Sequence, residues 1–363
     1  MNDSQDEIQV QADTEEQTLA ERREQRGKRI VAVGFFLFFV LLWLLIYCFT
    51  NILNSNVSAK TGEQDFKVVE IPTGSSVSDI ARTLAREHII SSATVFKIAA
   101  SIRRSTRDLK AGEYRFDTSL SLFDVLCHIE QGRVMVHKFT IPEGFTLKQI
   151  ARRLQETGLI DGSQFLALAE DTEFCRDMGV SGPNLEGYLF PDTYRMAKGL
   201  PTKTVLRILI DKFFDVYSEE IRKSNAVRSP DLEKIVIIAS IIEKEAIYDD
   251  EKPLIGGVIY NRLKRRMPLQ CDVTIRYPLD NYGVNLTYAD LKLDSPYNSY
   301  IYRGLPPTPI CSPGLSAIRA ALNPLDTDYL YFVSMNNGRH KFSASLSEHN
   351  EAVYKYQILN EKG

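Results

Sequence analysis

The sequence predicts an α+β protein carried on a single N-terminal transmembrane helix, and three observations lead to that reading. Residues 30–49 form an unbroken apolar run, IVAVGFFLFFVLLWLLIYCF. A strand-then-helix pattern beginning at Val68 recurs 70 residues later. The rest of the chain alternates apolar residues at helical spacing with short β-branched runs closed by Pro, Gly and Asn. The expected organisation is a polar tail over 1–29, a transmembrane helix over 30–50 and a linker over 51–65. An α/β subdomain over 66–136 follows, then a mixed α/β domain over 137–363, divided into a repeat-related part (137–228) and a core (229–363).

About 20 apolar residues span a hydrocarbon core of about 30 Å as a helix. A helix buried in a globular core would carry a polar face, and this run has none. Arg22, Arg23, Arg26, Lys28 and Arg29 crowd its N-terminal edge, while Thr50 to Ser58 is uncharged. The positive-inside rule therefore puts the N-terminus in the cytoplasm and the bulk of the chain outside, with Trp43 and Tyr47 suited to the outer interface. Val57-Ser58-Ala59 resembles a signal cleavage site. However, the apolar run is longer than a signal core and its basic flank follows an acidic, disordered leader, so a retained anchor is expected.

In the repeat, Ile71, Pro72, Gly74, Ile80, Ala81, Arg82 and Leu84 return as Ile141, Pro142, Gly144, Ile150, Ala151, Arg152 and Leu154, each 70 positions on. Each copy reads as a short strand ending at a Pro-x-Gly turn, with Ser76 or Thr146 capping an apolar-faced helix. A second helix is expected near Ala93 to Ser101 and Gly162 to Glu170, then a strand at Gly112 to Phe116 or Thr193 to Met196. The last pair is 80 residues apart, so the second copy has gained ten residues near Leu185 to Pro191. The strand-helix-helix-strand order resembles LysM-type glycan-binding modules. Duplication alone names no ligand, and a purely structural role for the copies stays open.

Composition removes several function classes. Lys and Arg number 44 against 47 Asp and Glu, a net charge of −3, so no basic field invites nucleic acid. Five cysteines without Cys-x-x-Cys and five histidines without zinc spacing leave no metal expected, and no cofactor motif occurs. Gly-x-Ser-x-Gly, Ser-x-x-Lys and Gly-x-x-x-x-Gly-Lys are absent. Cys271 or Cys311 with His340 or His349 would make a thiolate site, but outside the membrane an oxidising compartment favours a Cys271–Cys311 disulfide. Cys127 and Cys175 form a second candidate pair.

Candidate chemistry gathers after residue 229. Ser229-Pro230-Asp231 reads as a helix start, a capping hydroxyl, a Pro at the first helical position and an early acid, and IVIIASII after it is apolar on every side, hence buried. The helix ends in Glu243-Lys244-Glu245. Glu243 shares a face with Val236, Ala239 and Ser240, whereas Glu245 points away. Apolar surroundings favour the protonated form of a carboxyl, which is what a general acid for glycosidic cleavage requires. A glutamate ending a core helix is also an ordinary structural feature. A second helix is expected over Pro253 to Arg266, then a loop-rich stretch from Met267 to Gly314. Asn261, Arg262, Gln270, Asp272, Tyr297, Asn298 and Tyr300 supply the amides, charges and aromatic faces that hold sugars. A helix at Leu315 to Leu322, strands at Tyr329 to Ser334 and His340 to Ala344, and a helix from Ser347 close the chain.

Taken in order, ASIIEKEA, VIYNRL, LQCDVT, SPYNSYIYRGLPPTPICSPG, AIRAALNP, YLYFV and GRHKFSASLSEHN resemble the YceG-like family of endolytic murein transglycosylases from about Phe66 onward. The resemblance implies a LysM-like subdomain, a catalytic domain and cleavage of nascent peptidoglycan glycan strands at a bacterial inner membrane. It implies Glu243 as the acid that protonates the MurNAc–GlcNAc oxygen, and then as the base for the muramoyl C6 hydroxyl that closes a 1,6-anhydro ring. It also implies glycan-binding roles for the seven residues above, with peptidoglycan synthases as partners. Cys271 and Val273 depart from the family's LQ-x-D-P-T pattern. A glycan-binding scaffold for synthases and a hydrolase using Asp272 are the competing classes.

Overall fold

The structure, a computed structural model, describes residues 28–51 without 30 and 49, 66–224 without 118, and 231–359. The expected tail up to residue 27 and the linker from 52 to 65, including Val57-Ser58-Ala59, lie outside the described residues. The chain divides into two compact units, Met1–Met135 and Val136–Gly363.

In the first unit, helix α1 (Val31–Cys48) is apolar and fully exposed. At 1.5 Å per residue its 18 residues reach about 27 Å, close to the thickness of a bilayer core. Strand β1 (Phe66–Ile71) pairs antiparallel with β2 (Gly112–Asp117), Val69 opposite Tyr114. Between them lie α2 (Val77–Arg86) and α3 (Ala93–Ile102), and α4 (Leu122–Gln131) follows. Ser76 and Asp79 form a reciprocal capping box at the start of α2. The alternating strand residues and the helix faces meet in a core built on Ile71, Ile80, Leu84, Phe96, Phe116 and Leu126.

The second unit repeats this order. Strand β3 (Val136–Thr140) pairs antiparallel with β4 (Thr193–Ala197), Phe139 opposite Tyr194, enclosing α5 (Leu147–Glu156), α6 (Gly162–Ala169) and α7 (Thr172–Asp177). Thr146 and Gln149 form the matching capping box. The residues gained by this copy include α7, and Leu185, Tyr188 and Leu189 from the same stretch are buried. The extra length therefore extends the core. Helices α8 (Thr202–Lys223), α9 (Leu232–Glu245), α10 (Lys252–Lys264), α11 (Asp272–Leu279) and α12 (Leu315–Leu322) follow, then β5 (Tyr331–Ser334) paired with β6 (His340–Ser343), and α13 (Leu346–Val353). Helix α9 is buried from Ile235 through Ile242, as its all-round apolar sequence requires.

One expectation is corrected. The side-chain cap of α9 is Asp231, which accepts from the Lys234 N–H at 3.4 Å, while Ser229 and Pro230 lie outside the described residues. A short acidic side chain both satisfies an orphan N–H and complements the positive helix end. The loop-rich stretch from Met267 to Gly314 also contains α11 and a 3-10 turn at Asp290–Lys292. Pro278 reads as a breaker, but it sits in the last turn of α11, where Asp280 ends the helix in a left-handed conformation (φ 48°).

Glu186 joins the repeat-related part to the core. It is 1% exposed, its oxygens accept the Leu147 N–H at 3.2 and 3.1 Å, and it accepts the Tyr277 hydroxyl at 3.0 Å. It thus holds the start of α5 to α11. Burial pushes its carboxyl up to about 7, against the opposing pull of those hydrogen bonds. A carboxyl raised on folding contributes most below its unfolded value and loses that contribution as pH rises through its folded value. Between pH 5 and 8 the unfolding free energy of the full-length protein in micelles should therefore fall, relative to Glu186→Gln, by roughly 2 to 3 kcal/mol. A pH-independent difference between the two would contradict this.

Candidate active site

The site is built by what the end of α9 must touch. Ser240 lies one turn before Glu243 on the same face. Its hydroxyl donates to the Ile237 carbonyl at 2.7 Å and accepts the Ile310 N–H at 3.1 Å, and the Cys311 thiol reaches the Ser240 carbonyl at 3.4 Å. These bonds lay the 310–314 segment along α9. Gly187 locks the same segment from behind: a Cβ there would stand 2.5 Å from Pro309 Cβ and 2.9 Å from Val236 Cγ1, and its φ is +85°. With 310–314 fixed, the Gly314 N–H, at the start of α12, donates to Glu243 Oε2 at 3.0 Å. Glu243 therefore sits at the positive end of α12.

The other partner of that oxygen is Lys252, the first residue of α10. Its ammonium lies 3.4 Å from Glu243 Oε2, 3.1 Å from Asp249 and 2.7 Å from the Ser316 hydroxyl. The side chains of Lys252 and Glu243 are only 4% and 9% exposed. Burial pulls the lysine down, but Glu243, Asp249 and Glu143 outweigh it and hold the ammonium above its ordinary value. Glu243 Oε1 accepts no hydrogen bond among the described residues, so one carboxyl oxygen is anchored twice and the other is left for a ligand.

The third wall is the Pro142-Glu143-Gly144 turn of the second repeat copy. The Gly144 N–H donates to the Ser312 carbonyl at 2.9 Å, and the Ser312 N–H returns to the Phe145 carbonyl at 2.8 Å. This two-bond bridge brings Glu143 over Gly314. Burial and then the nearby Glu243 push the Glu143 carboxyl up, with Lys252 opposing.

The residues expected to hold sugars divide into two groups. Asn261 donates to the Thr327 and Tyr329 carbonyls at 2.6 and 3.0 Å. Arg262, 7% exposed, donates to Leu330, Pro268 and Leu269. Asn298, fully buried, donates to Leu291 and Leu293 and accepts from Tyr300 N. These three brace the loops with their side-chain donors. Gln270 and Asp272 are exposed, and Asp272 accepts the Tyr300 hydroxyl at 2.7 Å. Tyr297 is half-buried, bonded to Thr308 at 2.7 Å and packed on Tyr277. Gln270, Asp272 and Tyr300 thus form an accessible rim.

Among the described residues no contact joins Asp272 to Glu243. Asp272 instead neighbours Glu245, which burial and then Asp272 push up to about 7, against Cys271, Arg276 and Arg262. The expected Cys271–Cys311 disulfide is not formed. All five cysteines are free, and the two buried thiols turn to different carbonyls, Cys271 to Leu269 at 3.5 Å and Cys311 to Ser240. Burial pushes both thiols up, the opposite of an activated nucleophile. Cys127 and Cys175 are likewise unpaired.

Sequence reasoning missed Glu143, Lys252 and Gly314. A signal for Glu143 was present, since Pro-Thr-Gly in the first copy becomes Pro-Glu-Gly in the second. Lys252 carried none, because a lysine opening a helix is an ordinary surface residue until burial is known.

A family model described as the YceG-like family matches residues 69–355. A Bacillus subtilis protein named endolytic murein transglycosylase is 33% identical over 83% of this chain and 88% of its own length. A Streptococcus pneumoniae protein of the same name is 31% identical over 89% of this chain, which spans 64% of that relative's length. A crystal structure of a YceG-like protein from Listeria monocytogenes is 34% identical, covers 79% of this chain and 98% of its own, and superposes with a TM-score of 0.53.

Removing one member of a buried ion pair strands the other charge. Lys252→Met should destabilise the protein by about 3 kcal/mol in chemical denaturation, and the loss should shrink when Glu243→Gln is added. Equal losses with and without Glu243 would show that the pair contributes nothing.

Proposed function

The chain belongs to the YceG-like family, and from that premise we propose that it is a membrane-anchored endolytic lytic transglycosylase. In this reading it cleaves the MurNAc–GlcNAc bond of nascent peptidoglycan strands, leaves 1,6-anhydroMurNAc ends and so limits strand elongation. The observation that carries the reading is the Glu243 carboxyl, fixed through one oxygen by Gly314 and Lys252 while the other accepts no hydrogen bond among the described residues. A general acid needs that arrangement: a carboxyl held in place with one oxygen presented to the leaving group. Glu243 protonates the glycosidic oxygen, and the muramoyl C6 hydroxyl closes on C1. The nucleophile belongs to the substrate, so no water is consumed and the water-activating carboxylate of an inverting hydrolase is not required.

The accessible rim of Gln270, Asp272 and Tyr300 is the proposed glycan track, with Tyr297 behind it. Helix α1 anchors the protein, and the basic residues before it orient the N-terminus to the cytoplasm and both α/β units to the cell-wall side. The first unit is read as a LysM-like glycan guide, and peptidoglycan synthases as the partners whose product is cut.

The test is mass spectrometry of muropeptides released from uncrosslinked peptidoglycan by the full-length protein in micelles, beside Glu243→Gln. Anhydro ends from the wild type, reduced about a hundredfold or more in the variant, are expected. Products one water heavier would assign a hydrolase, and no release by either protein would favour a non-catalytic scaffold for synthases.

A further inference from the structure

We propose that Glu143 is the second catalytic carboxyl of this site, the base that takes the proton of the muramoyl C6 hydroxyl while Glu243 gives its own to the leaving oxygen. This rests on the transglycosylase reading above and replaces the single-carboxyl scheme, in which Glu243 serves twice.

Three observations carry it. The first is spatial. Glu243 reaches Gly314 from one side through the N–H, and Glu143 covers it from the other, where a Cβ on Gly314 would fall 2.1 Å from the Glu143 carboxyl carbon. The backbone at Gly314 has φ −75° and ψ 174°, which any residue adopts, so the absence of a side chain there makes room for the carboxyl. The second is charge. Glu143, Glu243 and Asp249 all face the buried ammonium of Lys252, and Lys244 lies beside Gly144 on the outer edge. Carboxyls crowded on one cation favour keeping a proton among them, which gives one acid and one base at the same time. The third is access. Glu143 is exposed, so substrate can reach it and its proton can exchange with solvent. Its raised proton affinity makes it a stronger base than an ordinary carboxylate.

The protons and bonds balance. The C6 hydroxyl gives its proton to the Glu143 carboxylate as its oxygen bonds to C1. The C1–O4 bond breaks, and O4 takes the Glu243 proton. Glu143 is left neutral and Glu243 ionised. Loss of a proton from Glu143 and gain of one by Glu243 restore the pair, with no water consumed.

The experiment compares wild type, Glu243→Gln, Glu143→Gln and Gly314→Ala as full-length proteins on one glycan substrate, following kcat, KM, pH profile and product ends. Glu143→Gln is expected to lower kcat about a hundredfold with little change in KM, and to lose the acidic limb of the pH profile, which reports ionisation of the base. Gly314→Ala should displace the Glu143 carboxyl, the movable end of its side chain, and lower kcat with little loss of melting temperature. A Glu143→Gln enzyme with unchanged kcat, with only KM raised, or with its acidic limb intact overturns the inference while the transglycosylase reading stands. Wild-type protein that makes no anhydro ends overturns both.

Discussion

The hydrogen bond from the Gly314 N–H to Glu243 Oε2, 3.0 Å long, is the constraint on which the site depends. It exists because an apolar helix, α9, is buried along its length and ends where a carboxyl can emerge. It is held because Ser240, one turn earlier, fixes the segment leading to Gly314 and because Gly187 admits that segment against α9. Helix α12 then presents its positive end to the carboxyl, and the second repeat copy adds its turn through the bridge at Ser312. The second repeat copy thereby supplies one wall of the candidate site.

The buried charges fall into separate groups with separate duties. Lys252 pairs with Glu243 and Asp249. Glu186 lies at the start of α5, and Glu245 beside Cys271 and Asp272. Both of these carboxyls are lifted to about 7, foremost by burial, a reminder that a perturbed carboxyl is as easily a structural joint as a catalyst. Geometry separates the cases: Glu186 is enclosed and held by donors, whereas one oxygen of Glu243 accepts no hydrogen bond among the described residues and Glu143 is open to solvent.

Much of the fold was legible because its signals are local. The Pro-x-Gly turns, the caps Ser76 and Thr146 and the 70-residue spacing predicted two strand-helix-helix-strand copies, and the all-apolar IVIIASII run predicted a buried helix. Helix α11 was hidden by Pro278, and the identity of the α9 cap by two candidate capping side chains, Ser229 and Asp231, either side of Pro230. Of the groups that meet around Gly314, only Glu243 was singled out by the sequence. Asn261, Arg262 and Asn298 have the residue types of sugar ligands, but tertiary contacts had already engaged their donors. Lys252 and Gly314 became recognisable only when segments distant in sequence met, because burial and close approach are not local properties. The cysteines show the same limit, since composition suggested a pairing that the directions of the side chains do not make.

In the proposed mechanism Glu243 meets the scissile oxygen and Glu143 meets the hydroxyl. The most direct measurement is a crystal structure of the Glu243→Gln protein with a glycan-strand fragment bound. The expected result places the residue 243 side chain within about 3 Å of the bridging oxygen, through the position Oε1 now occupies, and Glu143 against the muramoyl C6 hydroxyl. A fragment bound along Asp272 and Tyr300 with its bridging oxygen out of reach of residue 243 would contradict the account.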